Sequence, residues 1–250
     1  LRIHDPDNPL AGDGFMINSH IMEIPLDQID ALYINTFSGQ DRVRLDANLT
    51  LPKGIQVYGA TNINQTAVTR TTNGYVNYQA SQKVYLDIRD RLSGSHTVVF
   101  NSQDNLYING VIKNTHSTTH ESSITLTGQE INIDCNALLD ASGENGGGSI
   151  RVGGDFQGKG KLPRAKQVHI ALGAQLKANA LSQGGKGGTI IVWADKETSV
   201  NAQIQAKGGL KGEGGLVEVS SKEYWCFDNW KAGIDVSSVN GKSGLFYLDP

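Results

Sequence analysis

Short runs of alternating apolar and polar residues recur along this chain, each closed by Gly, Asn, Ser or Asp. Period-two alternation marks a half-buried β-strand, and the closing residues are turn formers. Strands are predicted on this basis at 55–58, 84–88, 97–100, 106–112, 124–127, 130–134, 149–152, 168–172, 189–193, 216–220 and 244–248. Only 25–36 reads as a short helix. Many short strands without intervening helices fit a sandwich, a barrel or a solenoid.

A repeat selects among the three. A Gly-Gly-like pair followed by a strand appears as Gly147-Gly148-Ser149-Ile150-Arg151-Val152, Gly187-Gly188-Thr189-Ile190-Ile191-Val192, Gly214-Gly215-Leu216-Val217-Glu218-Val219 and Ser243-Gly244-Leu245-Phe246-Tyr247-Leu248. Each follows a smaller strand: Leu139-Asp140-Ala141, Leu176-Lys177-Ala178, Ile204-Gln205-Ala206 and Ile234-Asp235-Val236. The second glycines recur after 40, 27 and 29 residues. A unit of roughly 20–30 residues holding two or three short strands is one coil of a parallel β-helix, and about ten such coils are expected here.

Parity divides inside from outside. Ile150 and Val152, Ile190 and Val192, Val217 and Val219, and Phe246 and Leu248 are expected to point inward. Arg151, Glu218 and Tyr247 are expected outside, and Ile191 breaks the rule and requires a covered site. The glycines are expected at corners with positive φ. The 40-residue interval exceeds one coil, so it holds either an extra strand at 168–172 or a looped-out segment at 158–163.

Composition narrows the function. The chain has 250 residues, a net charge of −3 and only 19% charged residues. It has no basic stripe for nucleic acid and no apolar run of about 18 residues to insert in a membrane. A first residue Leu1 without a preceding signal peptide points to a processed chain or a fragment. Cys135 and Cys226 lie several coils apart, too far for a bridge, and are expected to be free and buried.

From 131 to 250 the blocks resemble the haemagglutination-activity and filamentous-haemagglutinin repeat region of two-partner secretion exoproteins. The matching residues are Asp140-Ala141-Ser142-Gly143, Gly147-Gly148-Ser149-Ile150, Gly153-Gly154-Asp155-Phe156-Gln157-Gly158-Lys159, Gly187-Gly188-Thr189-Ile190-Ile191-Val192-Trp193-Ala194-Asp195, Ala206-Lys207-Gly208-Gly209, Gly214-Gly215-Leu216-Val217-Glu218-Val219-Ser220 and Leu248-Asp249-Pro250. The resemblance implies an all-β, right-handed parallel β-helix that is secreted through an outer-membrane transporter and displayed at the bacterial cell surface, often in adhesion. The Asn-Pro signature of the family's secretion domain is not recognised in this chain, so the transporter-recognising part is expected outside it. Residues 1–130 match less clearly and are read as less regular coils of the same single domain.

Candidate chemistry is sparse. Gly241-Lys242-Ser243 looks like the end of a P-loop, but Val236 stands where its first glycine belongs, so a coil corner is the better reading. His116 and His120 have metal-ligand spacing only on a helix, and their segment reads as loop. Asp87 and Asp90 with Arg89 and Arg91, and Asp5, Asp7 and Asp13, form charged groups that do not recur at coil spacing. No catalytic residue, metal or cofactor is assigned, and the chain is expected not to be an enzyme. The alternative is a polysaccharide lyase or hydrolase on the same scaffold, which needs clustered carboxylates and a base on a concave outer face. The most distinctive local feature is Tyr224, Trp225, Phe227 and Trp230, where alternation cannot turn every ring inward. These four are the candidate ligand-binding residues, for a host-cell glycan or protein.

Overall fold

A computed structural model describes residues 2–4, 15–18, 21–23, 25, 27, 29–36, 40–71, 75–93, 97–115, 122–226 and 233–249, with backbone only for 2–4, 15–18, 21–23 and 87–93. Three parallel sheets enclose one apolar core. The first sheet pairs Ala31–Asn35, Gly54–Gln65, Tyr75–Ser93, Thr97–Ser102, Ser123–Thr127, Ser149–Val152, Thr189–Ala194, Leu216–Ser221 and Leu245–Asp249 in that order. The second runs from Arg42–Leu45 through 62–65, 83–86 and 105–108 to Glu130–Ile133, Gln167–Ile170, Glu197–Val200 and Tyr224–Cys226. The third runs from Leu49–Thr50 through Thr69–Arg70, 93 and 111–113 to Leu138–Asp140, Gln175–Lys177, Gln203–Gln205 and Ile234–Asp235.

Each strand therefore pairs with its equivalent one coil earlier and one coil later. A barrel or a sandwich does not do this, and the protein is a parallel β-helix. Eight complete coils and the first strand of a ninth are described, fewer than the expected ten. The strands Arg2–His4, Phe15–Asn18 and Ile21–Glu23 instead pair antiparallel among themselves. No α-helix occurs among the described residues. The predicted helix at 25–36 is replaced by the strand Ala31–Asn35, because pairing with 54–58 satisfies its backbone and buries Leu32.

The inward parity of the repeat holds where a coil lies on both sides. Ile150, Val152, Ile190, Val192, Val217 and Val219 are fully buried. Phe246 and Leu248 share that parity but are 41% and 40% exposed, since their strand is paired on one side only among the described residues. The corner glycines have a different cause from the one expected. None of Gly148, Gly188, Gly215 and Gly244 has positive φ. A Cβ on Gly188 would lie 2.0 Å from the Gly148 carbonyl oxygen. One on Gly215 would meet the Gly188 oxygen at 2.0 Å. Successive coils touch backbone to backbone at this corner, and only hydrogen fits between them.

The long interval is resolved as a loop. The strand Gln167–Ile170 is an ordinary member of the second sheet, and residues 153–164 are the extra chain. They fold back as a strap over the outer face of the first sheet. Asp155 anchors it, pairing with Arg151 at 3.2 Å and accepting the Leu162 N–H at 3.0 Å. Arg164 pairs with Asp195 at 3.0 Å. Phe156 meets the Tyr247 ring edge-on at 5.5 Å between centroids. Ile191 and Trp193 point outward yet are buried, which supplies the covered site that Ile191 requires. Glu218 corrects the expectation of a solvated side chain: its parity is outward, but the strap covers it completely.

Candidate interaction surface

The second sheet offers the contrasting outer face. Inward parity there belongs to Ile131 and Ile133, Val168 and Ile170, and Thr198 and Val200, all buried. The intervening residues form two rows along the coil axis. One row is Asn105, Glu130, Gln167, Glu197 and Tyr224. The other is Tyr85, Tyr107, Asn132, His169, Ser199 and Cys226. Within a row, neighbours are one coil apart, about 4.8 Å; between rows, side chains two positions apart on a strand are separated by about 7 Å.

Between the rows lies a shallow groove of about 140 Å³, lined by Glu130, Asn132, Gln167, His169, Glu197 and Ser199 over a floor of Ile131 and Val168. Glu130, Asn132, Gln167 and His169 are exposed. The Gln167 carboxamide reaches the Glu197 carboxylate at 3.4 Å. Among the described residues no Lys or Arg lines the groove.

Aromatic rings stand at both ends. Tyr107, in register with Asn132, stacks on Tyr85 with centroids 4.8 Å apart and ring planes within 6°. Lys83 lies over the far ring at 4.8 Å. The Tyr107 hydroxyl donates to Asp134, and this bond, with the Cys135 N–H, holds the Asp134 carboxyl below its ordinary range. At the other end Tyr224, in register with Glu197, is 57% exposed. Trp225 and Cys226 are half-buried. Trp225 has inward parity beside Thr198, and Tyr224 and Cys226 outward parity. Phe227 and Trp230 lie outside the described residues, as do His116, His120, Asp5, Asp7 and Asp13 and the side chains of Asp87, Arg89, Asp90 and Arg91.

Sequence reasoning missed this groove because its residues come from segments 30 to 37 positions apart, with loops of different length between them. The only signal was the outward parity of polar residues within each strand. Among the described residues no three His, Cys, Asp or Glu side chains are placed to hold a metal. Both cysteines are free, but Cys135 is exposed and Cys226 half-buried. The expected burial fails because Cys135 occupies the turn closed by Ala137 N–H on the Asp134 carbonyl, and Cys226 has outward parity.

No protein-family model and no curated protein matches the sequence. Among solved structures, the chain is similar to the crystal structure of the HMW1 secretion domain from Haemophilus influenzae. The TM-score is 0.46 and the identity 19% over 83% of this chain, which spans 64% of the length of that structure.

Proposed function

We propose that this chain is a structural and interaction segment of a secreted bacterial surface exoprotein, a stalk that holds a binding surface away from the cell. The observation that carries this reading is the unbroken coil. Three ladders run side by side, each coil is stabilised by its neighbours, and such solenoids make extended, rigid binding surfaces. The repeat blocks resemble those of two-partner secretion exoproteins, which supports export through an outer-membrane transporter. Adhesion follows as the role: contacts to a host glycan or protein run through Tyr224, Trp225, Phe227 and Trp230. Protease shaving of intact cells of the source bacterium, with an antibody to this chain as readout, tests the location. Surface or medium-borne chain is expected, and chain confined to the cytosol overturns the reading.

One observation favours a second reading, a glycan-cleaving enzyme: Glu130 and Glu197 share a row beside His169. Their backbones are two coils apart, about 10 Å, whereas inverting glycosidases hold their carboxyl groups about 6.5–9.5 Å apart. A lyase acting on acidic sugars also requires a group to neutralise the substrate carboxylate, and among the described residues the groove offers no Lys or Arg. Non-catalytic binding is therefore the reading carried forward. Release of reducing ends or of unsaturated sugars from a polysaccharide panel would reverse that choice.

A further inference from the structure

The geometry points to the groove on the second sheet as a binding site for an extended, β-1,4-linked amino-sugar chain lying along the coil axis. This rests on the interaction-segment reading and names its ligand class.

The groove crosses three coils, those of Glu130, Gln167 and Glu197, at about 4.8 Å per coil. An extended 1,4-linked pyranose chain advances by nearly the same distance per ring. Each ring then meets one coil. The rows stand about 7 Å apart, wide enough for the narrow dimension of a pyranose.

In a β-1,4 chain successive rings are turned over, so a substituent returns to the same side on every second ring. Glu130 and Glu197 occupy one row two coils apart, with the neutral Gln167 between them. The carboxylates thus recur at the spacing of amines on alternate rings. Gln167 faces the intervening ring, whose amine points to the other row, where Asn132, His169 and Ser199 stand.

Two carboxylates line the groove, and among the described residues no Lys or Arg does. Ammonium groups gain charge-assisted hydrogen bonds there, while uronate or sulfated chains are repelled. The exposed Tyr224, in register with Glu197, offers an aromatic surface to a sugar at one end of the groove.

Titration calorimetry on the whole chain tests this with three probes: a glucosamine hexamer, a β-1,4-glucose hexamer and a galacturonate hexamer. The glucosamine hexamer is expected to bind about tenfold or more tightly than the glucose hexamer, the effect of one charge-assisted hydrogen bond. The galacturonate hexamer is expected not to bind. The double variant Glu130→Gln/Glu197→Gln should lower affinity for the glucosamine hexamer to that of the glucose hexamer. Glu213→Gln, which removes one carboxylate charge from a pair with Lys186 away from the groove, should leave binding unchanged. The proposal is overturned if galacturonate binds as well as glucosamine, if no hexamer binds, or if Glu213→Gln weakens binding as much as the double variant. Circular dichroism of the variants separates lost binding from lost fold. Failure here leaves the surface-exoprotein reading intact, because protease shaving tests that reading independently.

Discussion

Both carboxylate oxygens of Glu218 accept the backbone N–H of Gln157, at 3.0 and 3.1 Å, across 61 positions of sequence. Gln157 takes φ 54° to make this contact, a conformation that non-glycine residues rarely adopt. The pair fastens the strap to the coil.

Removing that acceptor should matter. Glu218→Ala leaves the Gln157 N–H without its partner beneath the strap and is expected to destabilise by about 1–3 kcal/mol, whereas Glu218→Gln retains an acceptor and should cost less. Burial raises the Glu218 carboxyl above 4.5, outweighing the Gln157 hydrogen bond that lowers it. A raised carboxyl binds protons more tightly folded than unfolded, so its contribution is fully present below about pH 4.5 and is lost as pH rises through the folded value. Relative to Glu218→Gln, the native chain should gain stability as pH falls from neutrality to below 4.5. Urea melts of both proteins across that range check the sign; the opposite slope would show the carboxylate to be favourably buried.

The corner glycines should tolerate no side chain. A Cβ at Gly188 would sit 2.0 Å from one carbonyl oxygen and 2.6 Å from a second backbone atom, neither of which can move without parting two coils. Gly188→Ala is expected to lower the melting temperature by more than Gly184→Ala, where a Cβ would meet nothing within 4 Å. Equal melting temperatures would mean that the coils are not in contact here.

Charge in the core should break the stack. Val192 and Val219 are fully buried among apolar neighbours. Val192→Asp or Val219→Asp must bury an unpaired carboxylate or keep it protonated, at a cost of several kcal/mol. Native-state hydrogen exchange should show lost protection concentrated in the coils that carry the substitution.

Thiol chemistry should be confined and slow. Cys135 is exposed, and the neighbouring Asp134, by hydrogen bonding and by charge, raises its thiol above 9.0. At neutral pH the native chain should react with a disulfide reagent more slowly than a free thiol, since the thiolate is the nucleophile. Asp134→Asn should speed the reaction and shift its pH profile toward lower pH. An unchanged profile would show that Asp134 does not govern the thiol.

The sequence by itself determined the coil. Alternation at Ile150 and Val152, or Val217 and Val219, specifies which side faces inward, because a strand has period two and one side must be buried. The spaced Gly-Gly pairs marked where coils turn, although their cause is close backbone contact and not positive φ. Tertiary structure alone decided what covers the outside. Glu218 and Ile191 share outward parity with exposed residues elsewhere, and only the strap from 153–164 buries them. The groove is likewise invisible in one dimension. Glu130, Gln167 and Glu197 become neighbours through coil register, and register depends on how much chain each loop stores outside the stack. Local pattern fixes the parity of a strand, whereas the register between strands is fixed by packing of the whole coil.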